Sequence, residues 1–147
     1  KNVVKSNNQR KMILTKRIDQ ILKNRLKNKN ITFLGVTFKP NTDDMREASS
    51  IPMINYLNKK GSKIRYYDPS GRKKEFDKLK NVKFYSSISS ACIKSDLIII
   101  HTEWNAFKLL DFKRLVKKKN FKVFDMRNIY SQDKMRDLRI DYTSIGR

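Results

Sequence analysis

Leu97-Ile-Ile-Ile100 is the most apolar run in the chain, and it leaves no side chain to face water. A strand of that kind is covered on both faces, which places it at the centre of a parallel sheet. Further strands are predicted at Ile31–Val36, Lys63–Tyr67, Val82–Tyr85 and Phe121–Phe124. Helical spacing fills the gaps between them. Ser50–Lys60 carries Pro52 in its first turn and stops at Gly61, Arg72–Lys80 is short, and Ser87–Lys94 precedes the central run. Residues 105–119 keep the period through Phe107, Leu110, Leu115 and Val116. A short helix at Gln132–Leu138 and an edge strand at Tyr142–Ile145 complete the pattern.

Strands alternating with helices define the α/β class: a Rossmann-like parallel sheet with helices on both faces. Right-handed crossovers favour the doubly wound order. Ahead of this body, residues 3–28 read as one long helix. Leu14, Ile18, Leu22 and Leu26 form a single apolar stripe, with Ile21 beside it, and no Pro or Gly intervenes. The stripe packs either on something outside the domain or back on the sheet. The domain boundary is drawn near Lys29, giving 1–29 as a leading helix and 30–147 as the α/β unit.

A chain of 147 residues, 38% of them hydrophobic, suffices for one domain with its own core. No apolar run approaches the roughly 18 residues of a membrane span. The opening Lys1-Asn-Val-Val-Lys5 lacks a signal-peptide pattern and an initiator Met, so a fragment of a longer protein is expected. One cysteine, Cys92, excludes an internal disulfide and fits a reducing, cytoplasmic setting. The net charge of +21 raises nucleic acid or an anionic surface as a partner. Against nucleic acid, the lysines are spread through every segment, with no zinc-finger spacing and no aromatic-studded basic strand.

All strand C-termini of a parallel sheet lie on one edge, where open α/β sheets bind ligands. After the first strand come Phe38, Lys39 and Arg46; after the central run, His101-Thr-Glu-Trp104; after the Phe121–Phe124 strand, Asp125, Arg127 and Asn128. Three cations beside an aromatic ring suit a phosphate-containing small molecule. The competing reading is local pairing, Arg46 with Asp43 or Asp44 and Arg127 with Asp125. Gly35 stands alone where a dinucleotide loop needs several glycines, so a dinucleotide site held by this unit alone is not expected. Asp44-Met-Arg-Glu47 has the spacing of a capping box, which makes Asp44 a structural candidate. Cys92, flanked by Ala91 and Ile93, reads as a small buried hydrophobe rather than a nucleophile, and His101 lacks an evident catalytic partner. No metal-ligand spacing occurs.

Several motifs then carry a resemblance. Gly35-Val-Thr-Phe-Lys-Pro-Asn-Thr-Asp-Asp-Met-Arg-Glu47, Tyr67-Asp-Pro69, Ser95-Asp96, His101-Thr-Glu-Trp-Asn105, Phe124-Asp-Met-Arg-Asn128 and Ser144-Ile-Gly-Arg147 resemble the C-terminal part of the UDP-glucose/GDP-mannose dehydrogenase family. The resemblance implies that Phe38 and Lys39 contact a nucleotide sugar such as UDP-glucose. It implies that Arg127 reaches the same substrate and that Arg46 contacts NAD held mainly by another domain. It further implies a homodimer, with the leading helix as the end of an inter-domain helix that carries the dimer contact. The family's N-terminal NAD-binding domain and its central segment with the catalytic cysteine, lysine and asparagine have no counterpart here, and Cys92 does not match that cysteine's motif. By itself the chain is expected to bind part of a substrate and to catalyse nothing. A GDP-mannose or UDP-amino-sugar enzyme, and a basic nucleic-acid-binding module, stay open as alternatives.

Overall fold

The computed structural model describes residues 2–147, with side chains described at residue 9 and from residue 11 onward. Helix α1 (Asn2–Ile21) leads into β1 (Asn30–Leu34), α2 (Ser50–Lys59), β2 (Lys63–Tyr67) and β3 (Val82–Phe84). There follow α3 (Ile88–Cys92), β4 (Leu97–Ile100), α4 (Phe112–Val116), β5 (Lys122–Asp125), α5 (Gln132–Asp137) and β6 (Asp141–Ser144). The six strands form one sheet in the order β3-β2-β1-β4-β5-β6, and every pairing is parallel. This is the doubly wound order, with its topological switch point between β1 and β4.

The period of two along each strand separates two cores. Ile31 and Phe33 of β1, with Leu97 and Ile99 of β4, face one layer beneath α1 and α2. Leu34, Ile98 and Ile100 face the other, beneath α3, α4 and α5. All four residues of β4 are fully buried, as the uninterrupted apolar run requires. One polar side chain on β1 is buried without loss, because Thr32 donates to the carbonyl of Ala91 at 2.7 Å and lies 2.6 Å from the hydroxyl of Ser95.

Four predicted helices are shorter than their spacing suggested, and of Ser87–Lys94 only Ile88–Cys92 is helical. The leading helix stops at Ile21, because Lys23 and Asn24 take left-handed conformations (φ 52° and 61°) that end the ladder without Gly or Pro. Its stripe nevertheless reaches the core: Ile18, Leu22 and Leu26 are buried against the domain's own sheet, so the helix folds back on it. The 105–119 segment splits into a 3-10 turn at Asn105–Phe107 and α4, which starts where the Asp111 side chain accepts from the amide of Arg114. Leu109, in the gap, is 94% exposed. Of Arg72–Lys80 only a single 3-10 turn at Lys74–Phe76 forms.

Candidate functional site

The loop from Gly35 to Ser49 leaves the C-terminal end of β1 and is held by both neighbouring strands. Gly35 has φ +79°, and a Cβ there would stand 2.7 Å from Cβ of Thr102, so the close crossing of the β1 and β4 ends admits only glycine. The Asp68 carboxylate, at the end of β2, accepts from the amides of Val36 (2.8 Å) and Thr37 (3.3 Å), while its other oxygen accepts from the amide and hydroxyl of Ser70. From the β4 side, the Thr102 hydroxyl donates to the carbonyl of Thr37 at 2.9 Å. These bonds involve motifs that are distant in sequence, Tyr67-Asp-Pro69 and His101-Thr-Glu-Trp104, and they fix the loop's course.

Asp44 makes no capping box. Helix α2 begins at Ser50, and Asp44 instead accepts from the amide of Arg46 two residues on, an Asx turn. The Arg46 guanidinium closes on the same carboxylate at 3.0 and 3.1 Å, and these hydrogen bonds hold the Asp44 carboxyl below the usual range. Arg46 is exposed and paired locally. Lys39 is exposed as well, and its ammonium has no hydrogen-bond or ion-pair partner among the described residues.

A pocket of about 240 Å³ opens at this edge, its wall formed by Phe38, Glu47, Ser49, His101, Met126 and Arg127. Lys11 and Leu14 of α1 and Ile145 beyond β6 close its sides. Phe38 and Arg127 are thus brought together as the carboxyl-edge argument expected, whereas Lys39 and Arg46 stand outside the pocket wall. Ser49 precedes the first residue of α2, a ten-residue helix, so the helix's positive end is directed at the pocket, a placement that favours anions.

Arg127 is positioned from two sides. Its backbone amide donates to Asp125 at 3.0 Å, and its Nε donates to the carbonyl of His101 at 2.9 Å. Asp125 anchors this loop by also accepting from the amide of Tyr130 (3.0 Å) and the hydroxyl of Tyr142 (2.7 Å). The side-chain pairing of Arg127 with Asp125 does not form; the nearest carboxylate is Glu103, at 4.0 Å from Nε. The terminal guanidinium nitrogens have no partner among the described residues and can accept an anion bidentately.

Within this wall His101 is fully buried, with Nε2 2.9 Å from the Ser49 hydroxyl and Nδ1 2.9 Å from the Thr102 hydroxyl. Burial, with the neighbouring Arg127, pushes its pKa down to about 3, so the ring is neutral at physiological pH. A neutral ring accepts at one nitrogen and donates at the other, which suits a bridge between two hydroxyls. Cys92 is buried in the second core, and burial pushes its thiol up to about 12, the state of an inert packing residue.

Sequence reasoning missed Glu47, Ser49, Lys11, Met126 and Ile145 as wall residues. A signal for Lys11 existed, because it lies three residues before Leu14 and so extends the apolar stripe's face toward this edge. Glu47 takes a left-handed φ of 61° and pairs with Lys11 at 3.6 Å, a geometry that no local pattern announces. The features that hold a dinucleotide are engaged otherwise here: a single glycine forms the turn, and the carboxylate at the end of β2 binds the chain's own amides.

The chain is similar to known proteins in sequence and in fold. The model of the UDP-glucose/GDP-mannose dehydrogenase family, UDP binding domain, matches residues 32–132. A UDP-glucose 6-dehydrogenase of Rickettsia bellii (strain RML369-C) is 34% identical over 98% of this chain and 34% of its own length. One from Bacillus subtilis (strain 168) is 35% identical over 100% of this chain and 34% of its own. The chain therefore spans about a third of the length of these curated relatives. Among solved structures, a UDP-N-acetyl-mannosamine dehydrogenase from Staphylococcus aureus superposes with a TM-score of 0.69 at 26% identity, over 95% of this chain and 31% of that one. An NDP-N-acetyl-D-galactosaminuronic acid dehydrogenase from Methanosarcina mazei Go1 reaches a TM-score of 0.76 at 22% identity, over 95% of this chain and 29% of that one, a likeness of fold. The matched segment takes in well over half of the sequence, and the chain belongs to the UDP-glucose/GDP-mannose dehydrogenase family as its UDP binding domain.

Proposed function

We propose that this chain is the nucleotide-sugar-binding part of an NAD-dependent UDP-glucose 6-dehydrogenase, which oxidises UDP-glucose to UDP-glucuronate in two hydride transfers. The observation that carries the reading is the Arg127 guanidinium, fixed by Asp125 and the His101 carbonyl, with free nitrogens beside Phe38 and the α2 N-terminus. Phosphate oxygens of the nucleotide would pair with Arg127 and with the mobile point charge of Lys39, and Phe38 would cover an apolar face of the ligand. Arg46, on the outer side of the loop, is assigned to NAD held by a domain N-terminal to this chain. NAD supplies the hydride acceptor when bound, and this chain contributes no step of that transfer.

Residues 1–29 are assigned as the end of an inter-domain helix and its joint. Met12 and Ile13 are 62% and 65% exposed on α1, beside an open groove of about 560 Å³ between α1 and α2, which supports a homodimer contact there. A UDP-amino-sugar dehydrogenase is the second reading, favoured by the Staphylococcus aureus structure at 26% identity. A nucleic-acid role rests on net charge alone and would show binding that falls steeply with salt.

Thermal denaturation with UDP, UDP-glucose and a panel of other nucleotide sugars tests the proposal. UDP is expected to raise the melting temperature, and Arg127→Ala or Lys39→Ala to weaken its binding by roughly tenfold each, the worth of one charge-assisted contact. Absence of protection by any nucleotide, or protection indifferent to both substitutions, would remove the site. Joining the chain to the family's NAD-binding and central domains should give NADH production with UDP-glucose, and the substrate panel on that protein separates the two readings.

A further inference from the structure

A second concentration of charge lies at the opposite, amino edge of the sheet. A cleft of about 510 Å³ is lined by Lys29, Lys118, Lys119, Lys122 and Arg139, with Asp96 and Asp141. Both carboxylates are committed. Asp96 accepts from the amide of Asn30 at 2.8 Å and from Lys118, and Asp141 is paired with Lys122. Lys29, Lys119 and Arg139 form no salt bridge among the described residues, although Lys29 acts on the Asp96 carboxylate at longer range. The lining side chains of the cleft carry a local net charge of +3.

Helices α4 and α5 end at this edge, and their negative ends favour the cations that follow them, Lys118 and Arg139, each end carrying only about half a charge. Five cations around one concave space repel one another, and a multivalent anion relieves that repulsion at several points simultaneously. The apolar lining residues, Leu22 and Phe121, are 7% and 8% exposed, so the cleft offers no open ring on which a nucleobase would stack. Phosphate charge is what it can recognise.

The position adds a consequence. Lys29 belongs to the irregular joint between α1 and β1, where Lys23, Asn24 and Asn28 all have left-handed φ angles. Asn tolerates this conformation, and the turns close on backbone hydrogen bonds from Asn24 to Asp19 and from Asn28 to Gly61. Lys118 and Lys119 follow α4, and Arg139, itself at φ 58°, precedes β6. An anion seated among them would tie the joint to the β5–β6 side of the sheet.

We propose that this amino-edge cleft binds a compact oligophosphate and that the bound anion fastens the α1–β1 joint to the sheet. The site is separate from the carboxyl-edge pocket and does not depend on the function proposed for it.

Calorimetric titration of the 147-residue chain with inorganic tripolyphosphate, at matched ionic strength, tests this, with ATP as a parallel arm. The Lys39→Ala/Arg127→Ala double variant, which cripples the carboxyl edge, is expected to keep one tripolyphosphate site. The Lys119→Ala/Arg139→Ala double variant should lose at least about tenfold in affinity, equivalent to one charge-assisted contact, while UDP protection is unchanged. ATP should bind no tighter than tripolyphosphate; tighter binding would overturn recognition through phosphate alone. A loss smaller than tenfold in the Lys119→Ala/Arg139→Ala variant would overturn the proposal, whether the anion sits at the other edge or is held diffusely by net charge. Amide chemical shifts of the unaltered chain give a reading independent of any variant. Changes at residues 28–30, 118–122 and 139–141 support the site, and changes confined to 35–49 and 126–128 refute it.

Discussion

Single residues at the carboxyl edge act through contacts with other strands. Gly35 illustrates a steric case: its left-handed φ and the 2.7 Å approach to Thr102 would both be violated by a methyl group. Gly35→Ala is expected to cost about 2–4 kcal/mol, combining backbone strain with overpacking, measured as a drop in the urea midpoint at unchanged slope. His101 illustrates an electrostatic case. Its folded-state pKa of about 3 lies below the unfolded value of about 6.5, so the unfolded chain binds the proton first as pH falls. Its contribution is present in full above about pH 6.5 and is lost as pH falls toward the folded value. By pH 5.5 the loss amounts to about 1.4 kcal/mol, before most carboxylates titrate. Unfolding free energies of the parent and His101→Gln, compared between pH 7.5 and 5.5, check this: the parent should lose stability over that range and the variant should not.

At the scale of elements, two of the three ligand-side loops are fixed by a carboxylate at a strand end. Asp68 after β2 holds the β1 loop, and Asp125, the last residue of β5, holds the Arg127 loop. Both are buried, and both accept from backbone amides that have no other partner, so removal exposes a dry, unsatisfied donor. Asp68→Asn, which cannot accept at both former oxygen positions, is expected to cost about 1.5–3 kcal/mol of stability. It should also weaken UDP protection, because the loop carrying Phe38 and Lys39 loses its anchor; unaltered protection in a folded, destabilised variant would separate the loop from the ligand site. The element boundaries that differed from the periodic reading have an equally local cause. The left-handed Lys23–Asn24 pair ends a helix that its apolar spacing would continue, and the Asp111 cap starts α4 partway along a segment whose spacing reads as one helix.

For the whole molecule, the net charge of +21 decides more about conditions than about shape. Surface lysines repel one another over distances comparable with the Debye length, about 10 Å at 0.1 M salt. Stability at neutral pH is therefore expected to rise as sodium chloride is raised from low to moderate concentration, read as an increase in melting temperature. A fall would mean that the surface ion pairs outweigh the self-repulsion. No helix of the described residues is long and apolar enough to cross a membrane. The doubly wound order places the Gly35–Ser49 loop beside the loops after β4 and β5, and this is the reason that motifs about 90 residues apart share one pocket.

The sequence by itself determined the class of fold and the edge on which ligand groups gather, because both follow from period and chain order. Leu97–Ile100 reads as a central strand with no further information, Ile31 onward alternates, and the loops after such strands must share one side. It also determined that Cys92 is a packing residue and that Gly35 alone makes no dinucleotide loop. Only the tertiary structure decided which of the candidate cations face a common space. Phe38 and Arg127 do, Arg46 folds onto Asp44, and Lys39 stands clear of the wall. It alone decided that the leading helix packs on its own sheet and brings Lys11 to the pocket, and that His101 is buried between two hydroxyls. The physical reason is range. Periodicity and capping act over a few residues and leave their mark on neighbours in the chain, whereas hydrogen bonds such as Asp68 to Val36 or Arg127 to His101 join residues that only the crossovers bring together.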